Sequence, residues 1–215
     1  MTFNVFTVLN NTNLINDAIK NIPQEDVIQL WVTDDFKGES ELCRPCLIKV
    51  FYKQGPTYAQ WMNGMMHDAL LKKEKWVGWL HDDVTISLED LQNLKNAIHE
   101  VPSCVYKINC VRSDSIGTTR SAPTDLYVFY NTARYWEVGG YDTKYHVYWS
   151  DIDFHIRQLE VGNLQHGVDT PSVTHIGSSS LHGNNRFQSI VNEMVREFDF
   201  KYHSFKHPTF RHPHQ

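Results

Sequence analysis

An apolar segment that ends in two acids constrains the fold of this chain more than any other feature. Residues 76–80 run Trp-Val-Gly-Trp-Leu, and His81, Asp82 and Asp83 follow without a spacer. A short apolar run bounded by polar residues is typical of a buried strand, and ligands of open α/β sheets bind beyond the carboxyl ends of such strands. Two adjacent carboxylates repel each other unless a cation lies between them or one takes up a proton. The segment therefore indicates a metal-binding turn that holds an anionic substrate, with a solvated Asp-Asp turn as the alternative.

The rest of the first half alternates between strand and helix patterns. Strand patterns cover 3–9, 27–32 and 47–52, and helix patterns cover 14–19, 58–73 and 87–98. Thr12 or Asn13 is expected to cap the first helix and Ser87 the third. This β-α-β rhythm predicts an α/β fold with a Rossmann-like, mixed but mostly parallel sheet, flanked by helices and joined by right-handed crossovers.

The second half has longer polar segments between its strands. Strand patterns are expected at 105–111, 126–131 and 168–176, and helices at 132–138, from 147 onward and over 187–198. Segment 112–124, rich in Ser, Thr and Arg, is expected to be a functional or mobile loop, and the histidine- and proline-rich tail is expected to be flexible. We therefore expect a single compact domain of two abutting halves, 1–104 and 105–186, followed by a C-terminal helix and tail, 187–215.

Composition limits the classes of function. A formal net charge of -5 argues against a surface built mainly to hold nucleic acid phosphates, although a local basic groove is compatible with it. The sequence lacks the apolar run of roughly 18 or more residues that indicates a transmembrane helix, and its N-terminus lacks the basic region of a signal peptide. The spacing of Cys43, Cys46, Cys104 and Cys110 does not fit a zinc ribbon, so reduced thiols in a cytoplasmic protein are expected.

Four short motifs follow one another along the chain. They are Leu-His-Asp-Asp-Val at 80–84, Val-Gly-Gly-Tyr-Asp at 138–142, Tyr-Trp-Ser-Asp-Ile-Asp at 148–153 and Thr-His-Ile-Gly-Ser-Ser at 174–179. In that order they resemble the metal-binding DXD, Val-Gly-Gly-Phe-Asp, Gly-Glu-Asp-x-Asp and His-containing segments of glycosyltransferase family 2. The resemblance covers roughly residues 3 to 185, and it implies a GT-A fold and a nucleotide-sugar donor.

The resemblance implies a divalent cation at the end of the 76–80 strand. Asp83 is expected to bind it, with His81 and His175 as further ligands, and Asp82 is expected to contact the ribose or the sugar of the donor. His81 stands where the family has the first Asp of DXD, and His175 could instead be a strand-end histidine bonded to a backbone carbonyl. Carboxylate and phosphate oxygens are hard ligands, so we expect Mn²⁺ or Mg²⁺, and a histidine ligand favours Mn²⁺. Such an ion would neutralise the charge that grows on the diphosphate leaving group.

The resemblance also implies a general base. Asp151 matches the family's catalytic Asp, at a helix start whose dipole keeps a carboxylate ionised, whereas Ser150 replaces the family's Glu. A base that takes the proton from the acceptor hydroxyl accelerates transfer about 10²–10⁴-fold. We therefore expect a hexosyltransferase-like enzyme that moves a sugar from a UDP-, GDP- or dTDP-sugar to a glycan or other hydroxyl acceptor, with inversion.

Polar residues at other strand ends are expected to complete the substrate site. Asn10 and Asn11 follow the first strand and Asp34 and Asp35 follow the second, so all four are expected to line the nucleotide pocket, with a cap or turn role as the alternative for each. The residues expected on the acceptor side are Asp125, Asp142, Asp153 and Arg120.

Two other functions are compatible with these motifs. Because His81 and Ser150 replace two acids of the family, a catalytically weak or inactive GT-A module that binds a nucleotide sugar or a glycan is the first. The second is a sugar transferase that acts on viral DNA, with a basic rim formed by Arg112, Arg120, Arg134 and Arg186. A nucleotidyltransferase is disfavoured, because the turn at 10–13 lacks the glycine and the basic residues that hold a triphosphate.

Overall fold

The fold was analysed in a computed structural model. It describes residues 1–7, 10–51, 57–100, 103, 105–113, 119–121, 127–146, 149–175, 193 and 195–209.

Nine strands within these ranges form one sheet. They are β1 (Thr2–Phe6), β2 (Val27–Thr33), β3 (Leu47–Phe51), β4 (Trp76–His81), β5 (Val84–Thr85), β6 (Val105–Ser113), β7 (Thr119–Ser121), β8 (Tyr127–Asn131) and β9 (Gln165–His175). Their order across the sheet is β3-β2-β1-β4-β8-β6-β9-β5, with β7 paired to β6.

The direction of the strands brings several strand ends together. β1 pairs in parallel with β2 and with β4, and β2 pairs in parallel with β3. β8 runs antiparallel to β4 and to β6, whereas β6 and β9 are parallel. The predicted mixed, mostly parallel α/β sheet is therefore confirmed. Because β1, β2 and β4 are parallel neighbours, the polar residues that follow them lie at one edge of the sheet.

Six α-helices are present in the described ranges. They are α1 (Thr12–Ile19), α2 (Tyr58–Leu71), α3 (Leu88–Glu100), α4 (Thr132–Glu137), α5 (Ser150–Glu160) and α6 (Phe200–Lys206). Asn11 caps α1 rather than Thr12 or Asn13, because its side-chain oxygen accepts hydrogen bonds from the amides of Asn13 and Leu14. Ser87 accepts from the Asp90 amide at the start of α3, as expected. None of the helices in the described part of the chain is long and apolar enough to span a membrane.

Helices cover both faces of the sheet, and each face has its own core cluster. On one face, Ile15 and Ile19 of α1 and Leu91 and Leu94 of α3 pack against the strands. On the other face, the cluster combines side chains of α2, α4 and α5, among them Met62, Met66, Tyr135 and Phe154, with Val77 and Trp79 of β4. The methionine and aromatic side chains of α2 therefore fill the core, as such stripes usually do.

Gly78 shows how closely strand and core approach each other. A Cβ at this position would lie 2.3 Å from Cδ1 of the Phe3 ring. The apolar β4 run therefore has its glycine where a neighbouring aromatic ring leaves no room for a side chain.

Two expectations for the second half are wrong. Segment 112–124 is not one continuous loop, because β6 extends to Ser113 and pairs with β7, in a register that sets Arg112 opposite Arg120. The tail is not flexible in its described part, because 200–206 is helical and follows a π-helical turn at Val195–Asp199. Hydrophobic periodicity did not predict either element. The hairpin is held by backbone hydrogen bonds, and the tail is held by ion pairs and ring contacts, such as Lys206 with Asp153 and His203 with Trp149, rather than by an apolar stripe. The expected helix at 187–198 lies mostly outside the described residues.

Candidate functional site

The two acids after β4 occupy different environments. Asp82 is tied to the neighbouring β1, because its amide donates to the Phe6 carbonyl over 3.3 Å and the Thr7 hydroxyl donates to its carboxylate. Burial, together with the negative charge of Asp83, raises the pKa of Asp82 to about 6, against the lowering effect of the Thr7 hydrogen bond. Asp83 is itself 9% exposed. The site therefore holds two carboxylates where one of them resists ionisation.

His81 ends β4 against an aromatic wall. Its ring stacks on Tyr58 of α2 with 6.1 Å between centroids and 17° between planes, and it meets Trp79 edge-on at 5.4 Å. The imidazole is therefore held in a fixed orientation beside the two acids.

The strand end of β9 approaches the same place. β5 pairs antiparallel with β9, and the register sets Val84 opposite His175. The backbone of His175 therefore lies across from the residue that directly follows Asp83.

The ends of β1 and β2 are joined by one hydrogen-bond network. Asn10 has a left-handed backbone with φ 53°, and its side-chain amide donates to Asp35 over 2.9 Å and to the Thr33 hydroxyl. Thr33 in turn donates to the same Asp35 oxygen over 2.5 Å. Asp34 and Asp35 are exposed. The predicted nucleotide-side residues Asn10, Asp34 and Asp35 are thus close neighbours, whereas the Asn11 side chain is engaged as a helix cap.

Asp151 lies in the first turn of α5, two residues after Trp149, whose backbone conformation is an outlier. Trp149 adopts φ 73°, a left-handed conformation that is uncommon for a bulky residue and that recurs at functional sites. After burial, the negative charge of Asp151 is a further cause of the raised pKa of Tyr58 and Tyr141. Asp151 is therefore electrostatically coupled to Tyr58, the residue that stacks on His81 at the end of β4.

Arg157 of α5 connects this helix to the turn at Gly139-Gly140. The Arg157 guanidinium donates to the Gly140 carbonyl over 2.7 Å and to the Val138 carbonyl, and its Nε donates to Asp153 over 2.9 Å. The second and third family-like motifs are therefore connected by one arginine.

The predicted acceptor-side residues have diverse placements. Asp153 is fully buried, so its carboxylate is not presented to a bound acceptor in this structure. Asp142 accepts hydrogen bonds from Tyr202 and Lys206, each over 2.7 Å. Arg120 belongs to β7 and its backbone pairs with Arg112 of β6, and Asp125 lies outside the described residues. The structure thus brings Asp142 and Asp153 together beneath α6.

The residues at the β4 end fit a divalent cation that is shared with a substrate. Two adjacent carboxylates, Asp83 buried and Asp82 half-buried with a raised pKa, form a site that a positive charge would stabilise. No group of three or more His, Cys, Asp or Glu side chains that could hold a metal exists within the described ranges. Mg²⁺ and Mn²⁺ are commonly held by one or two carboxylates together with phosphate oxygens and water, so the donor set fits an ion that a diphosphate helps to bind.

Several residues of this site had no recognisable signal in the sequence. Tyr58 was expected only as part of the α2 helix, and Thr7 only as part of the first strand. Lys206 and His207 belong to a tail that was expected to be flexible. Contacts of this kind depend on chain segments that are far apart in sequence, and neither periodicity nor a short motif reports them.

Comparison with known proteins supports the fold. No protein-family model matches the chain, and no curated protein matches it in sequence. A crystal structure of S. aureus TarS 1-349 superimposes with a TM-score of 0.59 at 13% identity, over 93% of this chain and 66% of that one. A second S. aureus TarS structure gives a TM-score of 0.59 at 16% identity, over 95% of this chain and 43% of that one. The chain therefore spans only part of each neighbour, and the likeness shows that it has the GT-A fold.

Proposed function

We propose that this chain is a metal-dependent glycosyltransferase that moves a sugar from a nucleotide-diphosphate-sugar to an acceptor hydroxyl. The observation that favours this function most is the coupling of the two motifs through Tyr58, whose ring stacks on His81 and whose pKa is raised, after burial, by the charge of Asp151. The GT-A fold, which is named for glycosyltransferases, is consistent with it.

We propose a role for each group of polar residues at this edge of the sheet. Asn10, Asp34 and Asp35 lie at the ends of β1 and β2, where they would accept hydrogen bonds from the nucleoside. Asp83, with His81, would hold Mn²⁺ or Mg²⁺ against the diphosphate, and the ion would supply Lewis-acid stabilisation of the leaving group. His175 is proposed as a further ligand on the basis of its backbone position opposite Val84.

Asp151 would act as the general base of an inverting transfer. It lies in the first turn of α5, where the helix dipole favours the ionised carboxylate that must accept a proton. The neighbouring Tyr58 and Tyr141 have pKa values raised by burial, so both stay protonated and neither competes with Asp151 as the base.

The experiment is a turnover assay with Mn²⁺, a panel of UDP-, GDP- and dTDP-sugars, and glycan acceptors. Asp151→Asn keeps the size of the side chain and removes the base, so we expect turnover to fall about 10²–10⁴-fold while donor binding persists. Asp17→Asn is the matched control, since Asp17 is an exposed residue of α1 that pairs with Lys20. A wild-type protein that binds a donor without transferring or hydrolysing it, with Asp151→Asn unchanged, would instead indicate a binding module.

A further inference from the structure

The C-terminal helix α6 contacts the segment that bears Asp151 on both sides of it. Before Asp151, the Trp149 ring lies 4.7 Å from the His203 ring. After it, Asp153 Oδ1 lies 2.6 Å from Lys206 Nζ and 2.8 Å from His207 Nε2. The tail therefore contacts Trp149, which precedes α5, and Asp153, which is the fourth residue of α5.

Asp153 needs these neighbours because it is buried. Its carboxylate has no exposed surface, and its other oxygen, Oδ2, is already engaged by the Nε and Nη2 of Arg157. Without Lys206 and His207, Oδ1 would remain buried with its charge uncompensated by the tail. A buried carboxylate in that state is strongly unfavourable, so the turn would rearrange to hydrate it.

The start of α5 has little local support of its own. The residue at the N-cap position is Trp149, in the left-handed conformation. An indole has no acceptor atom, so it cannot bind the first amides of the helix in the way that Ser or Asp does. Tertiary contacts, such as those of Asp153, therefore contribute to the orientation of this turn.

The tail is itself fixed to the segment that precedes α5. Asp199 is fully buried and accepts a hydrogen bond from the His146 amide over 2.7 Å. The Tyr145 hydroxyl lies 3.1 Å from His203 Nδ1, and Tyr202 donates to Asp142. These contacts hold α6 in place, so the position of the helix determines where Lys206 and His207 meet the Asp153 carboxylate.

We propose that Lys206 and His207 are positioning residues for Asp151, which hold the first turn of α5 through the Asp153 carboxylate. The catalytic part of this inference rests on the proposed function, since it takes Asp151 to be the base. A displacement of a catalytic group by about 1 Å can reduce a rate roughly 10²-fold. Loss of the two side chains therefore lowers turnover while it leaves the nucleotide side of the cleft, at the ends of β1 and β2, unchanged.

The test combines kinetics with hydrogen exchange in the full chain. The double variant Lys206→Ala/His207→Ala should lower kcat by roughly 10- to 100-fold with donor KM unchanged, and it should speed amide exchange over 150–154. The single variant Lys206→Arg, with His207 unchanged, keeps a cation beside Asp153 and should therefore retain most of the wild-type kcat. Lys201→Ala is the control on the same helix, because Lys201 is exposed and its ion pair within the described part of the chain is with Glu197. It should match wild type in both measurements.

Different outcomes overturn different parts. A folded double variant with wild-type kcat and wild-type exchange over 150–154 would refute the inference. An equal loss of kcat in Lys201→Ala would also refute it, because the effect would then belong to the helix in general. A wild-type protein without transferase activity would overturn the proposed function and the catalytic part of the inference, while the exchange measurement would still decide whether the tail holds the α5 turn.

Discussion

Gly140 occupies a position that no side chain fits. Its φ is 73°, and a Cβ there would lie 2.5 Å from Oδ1 of Asn63 and 2.9 Å from Cε1 of Tyr135. The Asn63 oxygen cannot move away freely, because it accepts hydrogen bonds from the Tyr141 amide over 2.8 Å and from the Tyr135 hydroxyl over 2.6 Å. The sequence predicted a helix at 132–138 that ends just before Gly139, but the contact of Gly140 with Asn63 of α2 is long-range and could not be inferred from the sequence.

The two adjacent glycines allow conformational strain to be separated from steric clash. Gly139 also has a positive φ, 80°, but a Cβ there would meet nothing within 4 Å. Gly139→Ala should therefore cost only the left-handed conformation, about 1–2 kcal/mol of the free energy of unfolding. Gly140→Ala should cost about 1–3 kcal/mol more, since it also overpacks the Asn63 contact. Urea unfolding of both variants measures the difference, and equal losses would show that the Asn63 contact adjusts without cost.

Helix α6 illustrates at the level of elements what sequence patterns report and what they miss. Apart from the two-residue strand β5, the strands and α-helices of the first half were predicted in type and order, because most of them have an apolar face that packs in the core. The α6 helix was not predicted, because its main contacts are polar and its exposed face includes Phe205, 83% exposed. An element that is docked through Asp142, Asp153 and Asp199 leaves no hydrophobic periodicity to detect.

The docking of α6 should depend on pH through Asp142. Partial burial alone would raise the pKa of this carboxyl, but hydrogen bonds from Lys206, the Lys144 amide and Tyr202, with the Lys206 charge, lower it from 3.8 to about 2. A lowered pKa means that the folded state favours the ionised form, so the contribution to stability is full above pH 3.8 and disappears as the pH falls toward 2. Lys206 also pairs with Asp153.

Asp142→Asn should therefore be less stable than wild type at pH 6, by about 1 kcal/mol or less because solvent screens the partly exposed pair. The difference in the free energy of unfolding should shrink as the pH is lowered through the interval from 3.8 to 2. Glu160→Gln, at the exposed end of α5, provides a control for the loss of a surface carboxylate. A difference between Asp142→Asn and wild type that stays constant from pH 6 to pH 2 would contradict the pairing.

At the scale of the whole molecule, the sequence predicted the sheet and the polar edge beyond its parallel strands, but not the side-chain contacts that join the elements. A strand that ends in His81-Asp82-Asp83 and the parallel order of β1, β2 and β4 are sufficient to place polar residues at one edge. The connection from His81 through Tyr58 to Asp151 requires the packing of α2 against α5. That packing depends on side-chain shape in the core, which hydrophobic periodicity does not encode.

Asp82 and Asp83 repel each other at the end of β4. A ligand that neutralises this repulsion should therefore stabilise the folded protein. With Mn²⁺ and the matching nucleoside diphosphate at about 100 times Kd, linkage adds about 2.7 kcal/mol, which corresponds to a rise in Tm of about 5–10 °C for a domain of this size. Asp83→Asn removes one of the repelling charges, so its Tm without ligand should equal or exceed that of wild type, while the ligand-induced rise should be lost. Asp17→Asn should retain the rise, and a chelator should abolish it in wild type. If thermal unfolding with Mn²⁺ and each of UDP, GDP and dTDP gave no rise, or gave the same rise in Asp83→Asn as in wild type, the β4 end would not be the diphosphate site.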